Sequence, residues 1–160
     1  MIIWVRHGQS TWNVMDRMQG QEISPPLTEM GRRQAAGAAE LLVASSAVRI
    51  LTSPAVRATE TAAVIADRLG LEVEIEPLLL EKGLEEDMPS VLRRVRLLLD
   101  LDLPGDTIAI SHGDMIGLAV GLLSGNRPEL PANCAITRVD PVTGSVSVTG
   151  PVVDPPTGHL

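Results

Sequence analysis

The chain contains no phenylalanine and no tyrosine, and its only large aromatic side chains are two tryptophans. A ligand pocket built as an aromatic cage is therefore excluded. The hydrophobic core must consist of Leu, Val, Ile and Ala, with Trp4 as its one large anchor. The single cysteine, Cys134, excludes an intramolecular disulfide framework and a multi-cysteine metal site, which is typical of a reducing compartment.

Positive charge is also scarce, because 13 Lys and Arg stand against 20 Asp and Glu, for a formal net charge of −7. Nucleic acids and anionic membranes both require clustered cations, so neither is an expected partner. The amino terminus lacks the basic and apolar regions of a signal peptide, and no run of about 18 apolar residues could span a membrane. We expect a soluble cytoplasmic protein, and the sequence leaves its oligomeric state open.

The order of hydrophobic patterns predicts an α/β fold in one domain, residues 1–150, followed by a flexible tail, residues 151–160. Four short strand patterns alternate with amphipathic helical patterns, which favours a mainly parallel sheet. Two closing strands flank a turn at 140–144 and predict an antiparallel C-terminal hairpin. The whole is a three-layer sandwich with helices on both faces of the sheet. The predicted strands are 2–6, 48–51, 72–75, 107–110, 134–139 and 145–149, and the predicted helices are 28–45, 54–69, 89–99 and 113–123.

Two of the predicted buried strands end in a histidine followed by glycine, as Arg6-His7-Gly8 and as Ser111-His112-Gly113. Ligands of open α/β sheets bind beyond the carboxyl ends of the strands. A single histidine there is more often packed or solvated than catalytic, but two in the same context, on a chain with three histidines, favour a site. Arg6 adds a forked cation and Asn13 an amide, which suits a phosphoryl group.

A third segment brings Arg57 to the start of a helix that follows Ser53-Pro54. The helix amino terminus attracts anions, and Arg57 adds a full positive charge on the same side. The alternative is an exposed pair between Arg57 and Glu60. Paired histidines could instead hold a transition metal, but Arg6 beside His7 would repel a cation and attract phosphate. We therefore expect no metal and no cofactor.

These three segments together resemble the histidine phosphatase superfamily, in its phosphoglycerate mutase-like branch. Residues 26–35 and 131–136 extend the resemblance along most of the chain. The resemblance implies that His7 is a nucleophile that forms a phosphohistidine. It also implies that the phosphoryl oxygens are held by Arg6, Arg57 and His112, with Asn13 as a neutral donor and Gly113 at the same phosphate site.

Glu81 stands where this family places its general acid and base. The alternative is that Glu81 belongs to a solvated acidic loop, in which case a neighbour such as Glu85 would be the acid. Related sequences continue with a Gly-Trp-Glu-Gly-like element, whereas this chain reads Lys82-Gly83-Leu84-Glu85-Glu86-Asp87. Substrate specificity is therefore expected in residues 82–87 and the following helix, where Arg93, Arg94 and Arg96 are predicted to form a solvated face.

The segment between Glu81 and Ser111 is short, which implies a minimal cap over the site. True mutases of the family carry a larger insertion that retains an intermediate, so a minimal cap favours water as the phosphoryl acceptor. The predicted function is a metal-independent phosphomonoesterase acting on a small phosphorylated metabolite. The alternatives are a phosphohistidine protein phosphatase, a phosphoglycerate mutase-type phosphomutase and a non-catalytic phosphate-binding module.

Overall fold

The computed structural model describes residues 1–15, 21–126, 129–151 and 153. The sheet strands are β1 (Ile2–Arg6), β2 (Arg49–Thr52), β3 (Val73–Ile75), β4 (Thr107–Ser111), β5 (Ile136–Val139) and β6 (Val146–Thr149). The helices are α1 (Thr11–Val14), α2 (Glu29–Leu42), α3 (Val56–Leu69), α4 (Met88–Leu99) and α5 (Gly113–Ser124), and a 3-10 turn spans Pro77–Leu79.

One six-stranded sheet has the order β3-β2-β4-β1-β5-β6. The first four of these strands are parallel, whereas β5 runs antiparallel to both β1 and β6. The predicted parallel sheet with a closing antiparallel hairpin is therefore confirmed. The pairing places β1 and β4 side by side at the centre of the sheet, so the two histidine segments that follow them are neighbours.

Both faces of the sheet are buried by helices, because alternate residues of a strand point to opposite sides. Ile3 and Val5 of β1 pack with small residues of α2 and α3, such as Ala38 and Ala62. Trp4 points the other way and packs with residues of α4 and α5. Trp4 is fully buried, as predicted for the single large anchor of an aliphatic core. The expected three-layer arrangement is confirmed.

The helix ends agree with the sequence at some positions and differ at others. Thr28 caps α2 by accepting a hydrogen bond from Gly31 N at 3.0 Å. Gly70 ends α3 in the left-handed conformation with φ of +69°. The predicted start of α3 at Ser53-Pro54 is wrong, however, because the helix begins at Val56 after Ala55.

The segment between Glu81 and β4 forms a loop and then α4, which begins after Asp87 and packs onto the sheet. Val91, Val95 and Leu98 of α4 are buried in the core beside Trp4. The apolar face of α4 is thus occupied by the core and does not form a lid. The prediction of a minimal cap is confirmed.

Most of the predicted tail, residues 151–160, lies outside the described residues. Pro151 is described and lies close against Gly37 of α2. Within the described ranges, we find no helix of the length and apolar character required to cross a membrane.

Candidate active site

The two strand-end histidines meet at the carboxyl edge of the sheet. Arg6 at the end of β1 is in register with Ser111 at the end of β4, and His7 N donates to Ser111 O at 3.0 Å. The ring centroids of His7 and His112 are 5.1 Å apart with an angle of 60° between the ring planes. Both side chains are buried. The pairing that the sequence predicted is therefore present.

The His7 ring is fixed in one orientation by its own turn. Nδ1 lies 2.7 Å from Gly8 O, and a carbonyl oxygen can only accept, so the neutral ring carries its proton on Nδ1. Its Nε2 then carries the lone pair. Burial, assisted by the charges of Arg57 and Arg6, lowers the pKa of His7 to about 3. His7 is thus an unprotonated, oriented imidazole at neutral pH, which is the form that a nucleophile requires.

The turn after His7 is held by α2 and α3. Gly8 N donates to Thr61 Oγ1 at 3.0 Å, and this hydroxyl donates to Arg57 O at 2.7 Å. On its other side Gly8 lies against Gly31, where a Cβ atom on Gly8 would stand 2.6 Å from Gly31 O. Only glycine allows the two backbones to approach this closely. The glycine of the histidine motif is therefore required by its packing against α2.

Arg57, in the first turn of α3, is fully buried and its guanidinium contacts His112. Its Nη2 lies 3.1 Å from Glu81 Oε2 and 3.4 Å from His112 Nδ1, and its Nη1 donates to Glu22 O at 2.7 Å. The alternative of an exposed pair with Glu60 is wrong, because Glu60 pairs with Arg32 at 3.3 Å. A buried guanidinium beside two imidazoles gives the site a fixed positive charge.

His112 lies between Arg57 and Ser53, and Ser53 is a contact that the sequence did not reveal. The His112 Nε2 atom is 2.8 Å from Ser53 Oγ. Because Arg57 can only donate, its contact with Nδ1 favours the tautomer in which Nε2 carries the proton and donates to Ser53. Burial, together with the neighbouring charge of Arg57, holds the pKa of His112 well below its usual value.

Arg6 approaches the same edge from the end of β1 and is held by the segment that precedes β5. Its Nη1 donates to Pro131 O at 2.8 Å. Its buried Nε finds no hydrogen-bond acceptor within the described ranges. In the same segment, Asn133 Nδ2 donates to His7 O at 3.1 Å. Asn133 thus supports the backbone of His7, a role that spacing alone did not indicate.

Glu81 follows the 3-10 turn and completes the cluster. Its side chain is 19% exposed, and Oε2 lies 3.1 Å from Arg57 Nη2 and 3.9 Å from His112 Nδ1. Burial raises its pKa, and the charge of Asp114 adds to this, whereas Arg57 opposes it. The alternative that Glu81 is part of a solvated loop is therefore wrong. A carboxyl group with a raised pKa keeps its proton to a higher pH than an ordinary glutamate does, which suits a group that gives and takes a proton beside His112.

The two remaining predicted residues are Asn13, in the turn after β1, and Gly113, at the start of α5. The Oδ1 atom of Asn13 accepts from Ser10 N at 2.9 Å within the capping box of α1, which fixes the amide in the turn after β1. Gly113 is the buried first residue of α5, and a Cβ there would lie 3.6 Å from Arg6 Nε. The amino terminus of α5, 12 residues long, therefore opens beside Arg6.

Comparison with known proteins identifies the family. A family model for the histidine phosphatase superfamily (branch 1) matches residues 2–90, more than half of the chain. The chain therefore belongs to the histidine phosphatase superfamily. Its members are phosphatases and mutases that act on small phosphorylated substrates.

Proteins similar to this chain include one named as a mutase and others named as phosphatases. A probable phosphoglycerate mutase GpmB of Yersinia enterocolitica is 32% identical over 181 aligned positions, which cover 87% of this chain and 84% of the relative. A mycobacterial glucosyl-3-phosphoglycerate phosphatase solved with VO3 superposes with a TM-score of 0.73 at 26% identity, covering 85% of this chain and 90% of that one. A putative alpha-ribazole-5'-P phosphatase of Escherichia coli K-12 shares the fold, with a TM-score of 0.74 at 18% identity over 94% of each chain.

Proposed function

We propose that this protein is a metal-independent phosphomonoesterase that hydrolyses a small phosphorylated metabolite through a phosphohistidine on His7. The orientation of the His7 ring carries the proposal. Nδ1 is committed to Gly8 O, so the neutral ring can attack phosphorus only through Nε2. Its low pKa keeps that lone pair available at neutral pH. Attack forms a P–N bond as the P–O ester bond breaks.

The charge that develops on the phosphoryl oxygens is met by fixed cations of the protein. Arg57 is buried within reach of His112, and Arg6 lies beside the amino terminus of α5. Preorganised donors of this kind stabilise a transition state without the cost of reorganisation. Asn13 and Gly113 add neutral donors to the same site. Arg57 and Arg6 supply the positive charge that a metal ion would otherwise provide.

Glu81 provides the proton transfer. Its carboxylate accepts a hydrogen bond from Arg57 Nη2 at 3.1 Å. An incoming phosphoryl group competes for this donor and brings negative charge close to the carboxylate, and both effects favour protonation of Glu81. Protonated Glu81 then gives its proton to the departing alkoxide. In the second half-reaction Glu81 takes a proton from water as the water oxygen attacks phosphorus, and the P–N bond breaks to release inorganic phosphate.

Hydrolysis is favoured over mutase action by the position of α4. A mutase must retain a bisphosphate intermediate and exclude water while the intermediate turns around. Here Val91 and Val95 bind α4 to the core of the sheet, so this segment does not cover the site. Because α4 is committed to the core, we expect water rather than a second hydroxyl group of the substrate to be the acceptor.

Rapid-quench trapping of the phosphoenzyme tests the mechanism. Wild-type protein and His7→Ala are mixed with radiolabelled p-nitrophenyl phosphate and quenched in base. We expect an acid-labile, base-stable phosphoenzyme in the wild type and none in His7→Ala. Turnover by the wild type without a phosphoenzyme would overturn the mechanism. Phosphate binding with neither turnover nor phosphoenzyme would identify a binding module.

A substrate panel then separates the enzymatic alternatives. Phosphorylated metabolites are assayed beside a histidine-phosphorylated protein, with His7→Ala as the blank. We expect the highest kcat/KM with a metabolite. A preference for the phosphoprotein would identify a protein phosphatase. Interconversion of 2- and 3-phosphoglycerate faster than release of phosphate would identify a mutase.

A further inference from the structure

One arginine of α4 does not lie on the solvated face that the sequence predicted for it. The Arg94 side chain is only 18% exposed and turns toward the loop that carries Glu81. Its Nη1 donates to Leu80 O at 2.7 Å and to Leu78 O at 3.2 Å, and its Nη2 donates to Glu81 O at 3.3 Å. Arg94 therefore contacts the backbone of residues 78–81 at three carbonyl oxygens.

The remaining donors of Arg94 bind Glu86 at the other end of the loop. Nε lies 2.9 Å from Glu86 Oε2, and Nη2 lies 2.6 Å from Oε1. Glu86 also accepts from Gly83 N at 3.1 Å and from Ser90 Oγ at 3.0 Å. The hydrogen bonds from Arg94 are the main reason that the pKa of Glu86 is lowered to about 2. Both ends of the loop are thus tied to one guanidinium.

This geometry leaves Arg94 no donor for a substrate anion. A guanidinium has five N–H groups, and the five acceptors here are three carbonyl oxygens and the two oxygens of Glu86. Binding the leaving group of a substrate would break at least one of these bonds. Arg94 is therefore suited to hold protein rather than ligand.

Glu81 requires such a support more than the other residues of the site. His7 and His112 follow adjacent strands, and Arg57 lies in a helix, so their backbones are fixed by regular hydrogen bonding. Glu81 lies in an irregular segment after the 3-10 turn. Ser111 Oγ fixes one end of that segment by donating to Leu79 O at 2.7 Å. Gln21 Nε2 adds a contact with Glu81 O at 3.2 Å.

We propose that Arg94, paired with Glu86, is a positioning residue that holds the general acid Glu81 at the distance from the leaving group at which proton transfer is effective. The proposal rests on the proposed function, since it requires Glu81 to be the acid. A displacement of about 1 Å of a reacting group can cost about 100-fold in rate. Loss of Arg94 is therefore expected to affect the step that needs the proton.

The test compares Arg94→Met with Arg93→Met. Arg93 is an exposed neighbour on the same helix, and its side chain makes no hydrogen bond to residues in the described ranges. Both are assayed with glycerol 2-phosphate, whose alkoxide must be protonated, and with p-nitrophenyl phosphate, whose leaving group needs little protonation. For Arg94→Met we expect kcat/KM with glycerol 2-phosphate to fall roughly 10- to 100-fold. We expect kcat/KM with p-nitrophenyl phosphate to fall less than about threefold, because kcat/KM reports only the steps up to phosphorylation of His7, in which the nitrophenolate leaves without an acid. Arg93→Met should match the wild type with both substrates.

A second comparison places Arg94→Met in a Glu81→Gln background. If Arg94 acts through Glu81, the double variant should hydrolyse glycerol 2-phosphate no more slowly than Glu81→Gln alone. Glu86→Gln keeps the shape of the side chain but removes its charge. Its loss of activity should again be larger with glycerol 2-phosphate than with p-nitrophenyl phosphate, but smaller than the loss in Arg94→Met. If Arg94→Met does not fold, Glu86→Gln still allows the two substrates to be compared.

Equal loss of kcat/KM with both substrates, or additive loss in the Glu81→Gln background, would overturn the positioning role. The same holds if the Arg94 and Glu86 variants match Arg93→Met. These outcomes differ from failure of the proposed function, which would appear in the wild type as no phosphoenzyme, or in Glu81→Gln as equal losses with both substrates.

Discussion

Acidification is expected to destabilise the folded protein through His7, and the size of the effect follows from its burial. Folded His7 has a pKa of about 3, whereas an unfolded histidine has a pKa of about 6.5. At pH 5.0 the unfolded state therefore binds a proton that the folded state does not. The stability contributed by neutral His7 is complete above pH 6.5 and is lost as the pH falls below it.

The loss between pH 7.5 and pH 5.0 amounts to about 2 kcal/mol in the free energy of unfolding, since each pH unit below the unfolded pKa contributes about 1.4 kcal/mol. This value does not depend on the exact pKa in the folded state, provided that it lies well below 5. His112 contributes in the same direction, because its pKa is also lowered by burial.

Urea unfolding at the two pH values measures this effect, with fluorescence of the buried Trp4 as one reporter and with buffers free of phosphate. His7→Asn cannot take up a proton in this range, so its stability should be less sensitive to pH than that of the wild type by about 2 kcal/mol. Carboxylates titrate in both proteins, and their contribution cancels in the comparison. Equal pH sensitivity in the two proteins would refute the buried neutral state of His7. The same state predicts that kcat/KM shows no acid limb near pH 6.5.

Three further changes probe other parts of the site. Glu81→Gln should lower kcat/KM roughly 100-fold or more with glycerol 2-phosphate but far less with p-nitrophenyl phosphate, since only the first leaving group needs the acid; equal effects on kcat/KM would assign the acid to another residue. Thr61→Val leaves Gly8 N without its acceptor and should lower the free energy of unfolding, measured by urea denaturation, by about 1–3 kcal/mol. An unchanged value would contradict a stabilising hydrogen bond between Gly8 and Thr61. Gly31→Ala would collide with Gln9 O and should destabilise by about 1–3 kcal/mol, whereas Gly117→Ala, with open space at its Cβ, should be neutral or stabilising. Similar values for both alanine variants would contradict the close backbone contact.

The sequence predicts those parts of the fold that follow from local patterns. The apolar runs before His7 and His112 identify β1 and β4, because a strand buried on both faces is apolar over most of its length. Thr28 and Gly70 mark helix ends through the local hydrogen bonding and backbone freedom of their residue types. The meeting of the two histidines then follows from the pairing of parallel strands.

Features that depend on contacts between distant segments were not predicted. Ser53 is a residue type that often caps helices. It follows the end of β2, however, and its hydroxyl contacts His112, and α3 begins three residues later at Val56. The short helix α1 arises from the reciprocal hydrogen bonds of Ser10 and Asn13, which are too local for hydrophobic periodicity to reveal. Arg93 and Arg94 are adjacent arginines that look alike in the sequence. Only the folded structure shows that Arg94 binds the loop that carries Glu81.

The way in which Arg94 holds its loop has a consequence for changes in the loop sequence. Apart from Glu86, its partners are main-chain oxygens, which every amino acid provides. Exchange of the side chains at Lys82, Leu84 and Glu85 therefore leaves all five of these bonds available. This stretch could diverge, or be randomised in a library, to recognise different leaving groups while the carboxylate of Glu81 keeps its place beside Arg57.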